Sequence, residues 1–509
     1  MSDGQDNPEG GVSRRNRGNR TQAALLMLGS AEFISRPCVL LRSIVVQRTI
    51  GPELLGIAAP MLLLADFLER VFSMHPGMAI VQDPKGGSGH FRRTLQTIIG
   101  VRGILFGVLI ILLAVPLAIF NELNSPMYIA GFMVIGLVPI IRGFAHIDIQ
   151  RQYRKRQYGG VTKAQVAREL GGLLLAVLLC LIVKLMWPGE TLPGNAFWIP
   201  ILVRVGTAGI LVYVSFKLAR RAFRFGWNSS DAMRILLFLA PLAVAGLIVF
   251  LSGQGPRQLV SSAGFLFGQY EFTKLDLGYL TNAIMFATIP ATVGGSVIQG
   301  SWAPKLSKLR DEPERFRQIF ATMQRFSYSL GMAGLVVLSA GNAWIIALFG
   351  QDFAPAGPIV CILAYRTAVR LSSAGVRCAM LSLGHSKYVM YMNLGGLLGL
   401  FGSAWVIMNG GTLLEIAFWI TMGEVLSSVM GNLLITRCTK SLKAWDIWVV
   451  PALLLLVGAV IGYFEKSMVV GLNHILVIFI SVFIAGCCLV GSMVVFPQIR
   501  PKRIKSLKR

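Results

Sequence analysis

Charge is what this sequence has least of. Only 14% of its 509 residues are Asp, Glu, Lys or Arg, against 54% hydrophobic, with a mean hydropathy of +0.66. A soluble chain carries about 25% charge, so an ordinary soluble protein of this length is excluded. Acids are the scarcer sign, at 23 against 48 Lys plus Arg. No G-x-x-x-x-G-K-[ST] occurs, which excludes a P-loop ATPase within the chain. No H-E-x-x-H occurs, and the histidines (His75, His90, His146, His385, His474) are scattered, so neither a zinc site nor any cofactor is expected. The seven cysteines fall mostly in apolar runs (Cys38, Cys180, Cys361, Cys378, Cys487, Cys488) and read as small buried residues with no disulfide framework. No loop is long enough for a sugar-nucleotide domain or a glycan polymerase site, so the chain is not expected to be an enzyme. No signal peptide is expected either, since the first 21 residues are polar and basic and the following run is too long for an h-region.

What remains is a succession of apolar runs of bilayer length. Fourteen spans are predicted, at 22–47, 54–75, 94–120, 126–148, 165–187, 197–217, 232–255, 276–300, 318–341, 356–382, 388–408, 412–435, 446–464 and 473–496. The fold class is therefore an all-α polytopic membrane protein. Kinks are expected at Pro37, Pro60, Pro139, Pro241 and Pro290. With the N-terminus inside, the inner segments hold 33 Lys plus Arg and the outer segments 4. That bias is the positive-inside rule; it places both termini in the cytoplasm and accounts for most of the +25 net charge without nucleic acid. A faint echo between "AIVQDPKGGSGHFRRTLQ" and "SVIQGSWAPKLSKLRDEPERFRQ" suggests two six-helix halves. The expected organisation is a basic arm (1–21), an N-terminal six-helix lobe (22–217), a C-terminal one (232–435), two added helices (446–496) and a basic tail (497–509).

Within the spans, arginines outnumber carboxylates. A guanidinium costs roughly 2.5–3.5 kcal/mol at a helix centre on insertion scales, so each asks for a reason. Glu32 and Arg36 are four apart and read as a self-neutralising pair. Arg42 has no acid four residues either side, and Arg48 reads as an interface residue. In the tenth span Arg366, Arg370 and Arg377 fall within about 40° on one helix face, joined by Ser373, with no acid in the span. Arg102, Arg204 and Arg257 add single candidates, while Arg142 and Arg325 fit the inner interface. Asp66 and Arg70 read first as an intrahelical pair. Asp66, with Glu69 and Glu424, is also a candidate ion-coupling carboxylate. A cavity lined by an arginine excess favours an anion, and the guanidinium fork suits a lipid phosphate or pyrophosphate.

Several stretches resemble the bacterial polysaccharide-unit flippases (Wzx type) of the multidrug/oligosaccharidyl-lipid/polysaccharide exporter superfamily, over roughly residues 22–436. They are "VVQRTIGPELLGIAAPMLLLADFLERV", "AIVQD", "DIQRQYRKRQYG", and the run from "APKLSKLRDEPERFRQIF" through "LFGQDFAPAGPIVCILAYR" to "AMLSLGHSKYVMYMNLGGLLG". The resemblance implies two six-helix lobes around a central cavity and alternating access. It also implies a substrate of undecaprenyl-pyrophosphate-linked oligosaccharide, with a polymerase and chain-length regulator as pathway partners. Related lipid II flippases carry two arginines six apart in the first helix and a glycine nine residues later, a spacing matched by Arg36, Arg42 and Gly51. The family's aspartate beside a basic residue near the seventh helix has no counterpart at Arg257. A cation-coupled multidrug exporter of the same superfamily is the other transporter reading.

Overall fold

The computed structural model describes residues 14–71, 80, 84–150, 159–188, 194–269 and 272–439, with side chains from residue 34 onward at most positions. No strand occurs among them. The helices are α1 (Arg14–Val71), α2 (Gly89–Leu112), α3 (Ala114–Phe120), α4 (Pro126–Ile135), α5 (Leu137–Gly143), α6 (Gly159–Met186) and α7 (Trp198–Leu218). They continue as α8 (Ser229–Ser261), α9 (Ala263–Phe267), α10 (Lys274–Lys308), α11 (Pro313–Ser339) and α12 (Gly341–Phe349). The last are α13 (Gly357–Ser372), α14 (Ala374–Ser382), α15 (Ser386–Leu394), α16 (Leu397–Met408) and α17 (Leu413–Thr439).

Nine helices among the described residues are long and apolar enough to cross a membrane, or ten if the bent pair Pro313–Ser339 and Ala343–Phe349 is one span. Each of the first twelve predicted spans falls on a helix or on two short helices in series. The last two, 446–464 and 473–496, and the tail 497–509 lie outside the described residues, as does 1–13 of the predicted arm. The first two spans are one helix, α1, broken only at Gly51 (φ 73, ψ 176). That left-handed backbone is open to glycine, and it turns the chain back so that two arms face one another. Helix continues through Pro37, Pro60, Pro241 and Pro290, whereas the breaks fall at Leu113, Gly136 and Ser373. Neighbouring helices can satisfy the carbonyls that a proline frees in a membrane.

Bilayer chemistry inverts the usual helix pattern. On α6 the large side chains Leu174, Leu178 and Leu185 are exposed, at 61%, 54% and 80%, while Gly172, Ala176 and Cys180 are buried. Lipid takes the large residues, and small ones allow close helix contact. The described cysteines Cys38, Cys180, Cys361 and Cys378 are free.

One apolar cluster is built from 57–208 and another from 298–435, while a third runs from Val46 to Ile420 and joins them. The joining seam centres on α1 against α10. A Cβ on Gly56 would lie 1.6 Å from the Lys274 carbonyl oxygen, and one on Gly278 would lie 1.9 Å from that of Pro52. Pro52 and Gly56, like Lys274 and Gly278, are four apart, so the crossing is reciprocal. Backbone meets backbone there, a geometry that Cα–H···O contacts favour. Around the same end, Asn121 accepts from Gln258 (2.7 Å) and Ser261 (2.8 Å), and its carbonyl accepts from Lys274 Nζ (2.7 Å).

Gly278→Ala should push the helices apart and lower stability by about 1–3 kcal/mol, the cost of overpacking. Gly295→Ala, on the same helix with open space around it, is the control that should be neutral. Thermal unfolding of the two purified variants checks the difference.

Candidate functional site

A cavity of about 340 Å³ lies between the two arms of α1 and helices α7, α8 and α10. Its wall carries Arg36, Arg42, Arg204 and Arg257 against a single carboxylate, Asp66. Gln47, Gln254, Thr207, Thr281, Thr288 and Thr292 supply neutral polar groups, and Val39, Leu55, Leu62 and Ile284 are among the apolar ones. The lining begins one turn from the Gly56–Gly278 crossing, so that crossing closes one end. Gln47 reinforces the closure by accepting from Asn282 Nδ2 and donating to Met285 Sδ at 3.4 Å.

Arg42 and Arg204 are each held by a helix other than their own. Arg42, which has no acid four residues either side on its own helix, donates from Nη1 to Glu169 Oε2 at 3.1 Å. Glu169 also receives Arg168. Gly172 makes the approach possible, since a Cβ there would sit 2.7 Å from Arg42 Nη1 and 2.4 Å from Thr207 Cγ2. Asp66 is bound by Arg204 Nη2 at 2.5 Å, across the cavity wall. Asp66 is thus paired between helices; the expected intrahelical partner Arg70 has its side chain outside the described residues. The side chains of Arg70, Glu32 and Glu69 lie outside the described residues.

The arginines of the tenth span stand elsewhere. The span breaks at Ser373, and Arg366 and Arg377 on either side of the break turn to α17. Arg366 Nε lies 3.8 Å from Glu424 Oε2, and Arg377 Nη2 lies 3.9 Å from Glu424 Oε1. Arg366 is behind the α8 wall, with Nη2 3.5 Å from where a Cβ on Gly253 would be. Arg366, Arg370 and Arg377 are not among the residues that line this cavity. Arg102 does not line the cavity either; its Nη1 has no hydrogen-bond partner among the described residues. Arg257 does line it, from the last turns of α8, and is 7% exposed.

Four guanidiniums and one carboxylate line the cavity, and Glu169 behind the wall holds Arg42. Two like charges 4 Å apart repel by about 4 kcal/mol at an effective dielectric of about 20. The arrangement favours an anion. Gln254 Oε1 and Thr281 Oγ1 are buried in the wall without hydrogen-bond partners among the described residues, which leaves them free for a polar ligand.

Sequence reasoning missed Glu169, Gln47, Gln254 and the threonines. A signal existed for two sets. Glu169 heads the small-residue stripe Gly172, Ala176, Cys180, and Thr281, Thr288 and Thr292 share one face of α10 at helical spacing. Gln47 and Gln254 carry no such pattern.

A family model described as "Polysaccharide biosynthesis protein" matches residues 45–358. The chain belongs to this family. The match takes in the returning arm of α1, α7, α8 and α10, which form most of the cavity wall. No curated protein sequence matches the chain. Among solved structures, the fold is similar to that of the lipid II flippase MurJ in an inward closed conformation. That match has 12% identity and a TM-score of 0.66, over 92% of this chain and 99% of that one. It is also similar to an inward-facing multidrug resistance MATE family transporter of the MOP superfamily, at 12% identity and a TM-score of 0.60, over 84% and 99% of the two chains. A MOP superfamily transporter from Pyrococcus furiosus, described as having a binding pocket of reverse polarity, aligns at 14% identity with a TM-score of 0.52 over 82% and 96%. This polysaccharide biosynthesis family member thus has the all-helical fold of the MOP superfamily transporters.

Glu169→Gln should destabilise the protein by about 3 kcal/mol, because it strands Arg42 in a partly buried site. Arg42→Gln combined with Glu169→Gln should recover part of the loss. Thermal unfolding of the two single variants and the double variant reads the coupling.

Proposed function

We propose that this chain translocates undecaprenyl-pyrophosphate-linked oligosaccharide repeat units from the inner to the outer leaflet of a bacterial cytoplasmic membrane. The units would feed surface polysaccharide assembly, as O-antigen or exopolysaccharide. The observation that carries the reading is the cavity wall: four arginines from α1, α7 and α8 against one carboxylate. A pyrophosphate presents oxygens in the geometry a guanidinium fork grips with two parallel bonds. The cavity, at about 340 Å³, is at the small end of ligand sites, which run from about 300 to 1,000 Å³. That volume suits the pyrophosphate and the first sugar, with the lipid tail left in the bilayer. Membership of a polysaccharide biosynthesis family supports the pathway.

In this scheme Arg36, Arg42, Arg204 and Arg257 contact the pyrophosphate. Arg366, Arg370 and Arg377 act from behind α8 through their field. Ion coupling runs through Asp66 and Glu424, since a proton or sodium ion on either carboxylate releases an arginine. Rocking of the two halves opens the α1–α10 crossing and exposes the head group to the other side. Both termini stay in the cytoplasm, and a polymerase with its chain-length regulator consumes the product.

A lipid II-type precursor is the second substrate reading, favoured by Arg36 and Arg42 in the wall with Gly51 at the turn. A cationic drug is disfavoured, because it would meet four like charges.

Arg42→Ala and Arg257→Ala should each lower surface polysaccharide export about tenfold or more while membrane levels of the protein stay normal. Normal export from both variants overturns the cavity assignment. Rescue of cells depleted of their lipid II flippase, without an effect on surface polysaccharide, would decide for the second substrate.

A further inference from the structure

A second cavity, of about 300 Å³, lies at the opposite end of the bundle from the Gly56–Gly278 crossing. It is walled by the start of α2, the turn after α5 and the connection 219–228 between α7 and α8. Arg92, Arg93, Arg221 and Arg224 face one carboxylate, Asp148. We propose that this cavity binds the phosphate of an anionic phospholipid headgroup, at a site separate from the transport cavity.

The walls are fixed by buried hydrogen bonds. Asp148, 1% exposed, accepts from the Arg220 amide at 3.0 Å and lies 3.7 Å from Arg92 Nη1. Arg92 Nε donates to the Ser88 carbonyl at 3.0 Å. The His146 ring accepts from the Asp148 amide at Nδ1 (3.1 Å), so Nε2 carries the proton and donates to the Arg221 carbonyl at 2.9 Å. Gln96 spans the turn, donating to the Ala145 carbonyl and accepting from the Ile147 amide. One carboxylate is thus committed to structure, whereas the guanidinium groups of Arg93, Arg221 and Arg224 have no ion-pair or hydrogen-bond partner among the described residues. Gly89, the first residue of the 24-residue helix α2, lines the same cavity with open space beside it, and a helix N-terminus adds to the attraction for an anion.

The surroundings select a lipid over a dissolved phosphate. Trp227, Phe225 and Tyr213 are exposed at 62%, 51% and 64% around the same connection, and Lys217 lies over the Tyr213 ring. Exposed aromatic rings beside arginines mark the headgroup level of a bilayer, and basic pockets between helices at that depth hold acidic headgroups. A phospholipid phosphate would be delivered to the cavity by the membrane itself, with its acyl chains against the exposed rings.

The test uses the full-length protein purified in detergent, with dioleoyl phosphatidylglycerol as the probe and dioleoyl phosphatidylcholine as the neutral comparison. Lipid retention is read by native mass spectrometry, and stabilisation by thermal shift. Arg93→Ala, Arg221→Ala and Arg224→Ala together should weaken phosphatidylglycerol binding about a hundredfold. Lys305→Ala, Arg315→Ala and Arg317→Ala together, which remove as much charge elsewhere, should leave binding unchanged. Arg224→Glu, a change at one exposed side chain, provides the same readout if the triple variant does not fold. Equal binding by wild type and both site variants overturns the proposal. Displacement of the lipid by millimolar inorganic phosphate or pyrophosphate also overturns it, in favour of a soluble-anion site.

Discussion

The expense of placing a guanidinium among apolar helices governs this molecule. An arginine in a span must reach water or find a carboxylate, and the described pairs show the second solution applied between helices. Arg42 of α1 reaches Glu169 of α6, Arg204 of α7 reaches Asp66 of α1, and Arg366 and Arg377 of α13 and α14 share Glu424 of α17. Each pair ties helices distant in sequence, so the charges that burden single spans specify how the spans assemble. Acids are few in the spans, and four of the arginines gather on the wall of one cavity.

The second constraint is the approach of α1 to α10. Two glycines four residues after a proline and a lysine, respectively, bring carbonyl oxygens to where side chains would otherwise be. The polar group around Asn121 ties the same end, joining the turn after α3 to α8 and α10. Beyond the closed end, the wall changes from glycine and apolar residues to arginine, glutamine and threonine. A transporter that alternates between two faces needs a seam that seals without a large covalent or apolar commitment, and backbone contact of this kind is compatible with that need.

Much of the architecture was legible in the sequence, because a bilayer imposes length and hydropathy on every span. The first twelve spans were placed on helices by that rule alone. The site was half legible. Arg36, Arg42, Arg204 and Arg257 stood out as charges that hydrocarbon disfavours, and they do line the cavity. The stripe of Arg366, Arg370 and Arg377 stood out for the same reason, yet Arg366 and Arg377 face Glu424. Local periodicity says which residues share a face of a helix; it does not say what that face meets.

The sequence by itself determined a helical membrane protein with more arginines than acids in its spans, and hence an interior suited to an anion. Hydropathy and charge are properties of single residues and short windows, so they can be read without a fold. Only the tertiary structure decided which arginines share a cavity, that Arg204 reaches Asp66 from 138 residues away, and that Glu169 answers Arg42 from 127 residues away. Those outcomes depend on the rotation and crossing of packed helices. They are set by contacts such as Gly172 against Arg42 and Gly56 against Lys274, which no window of sequence contains.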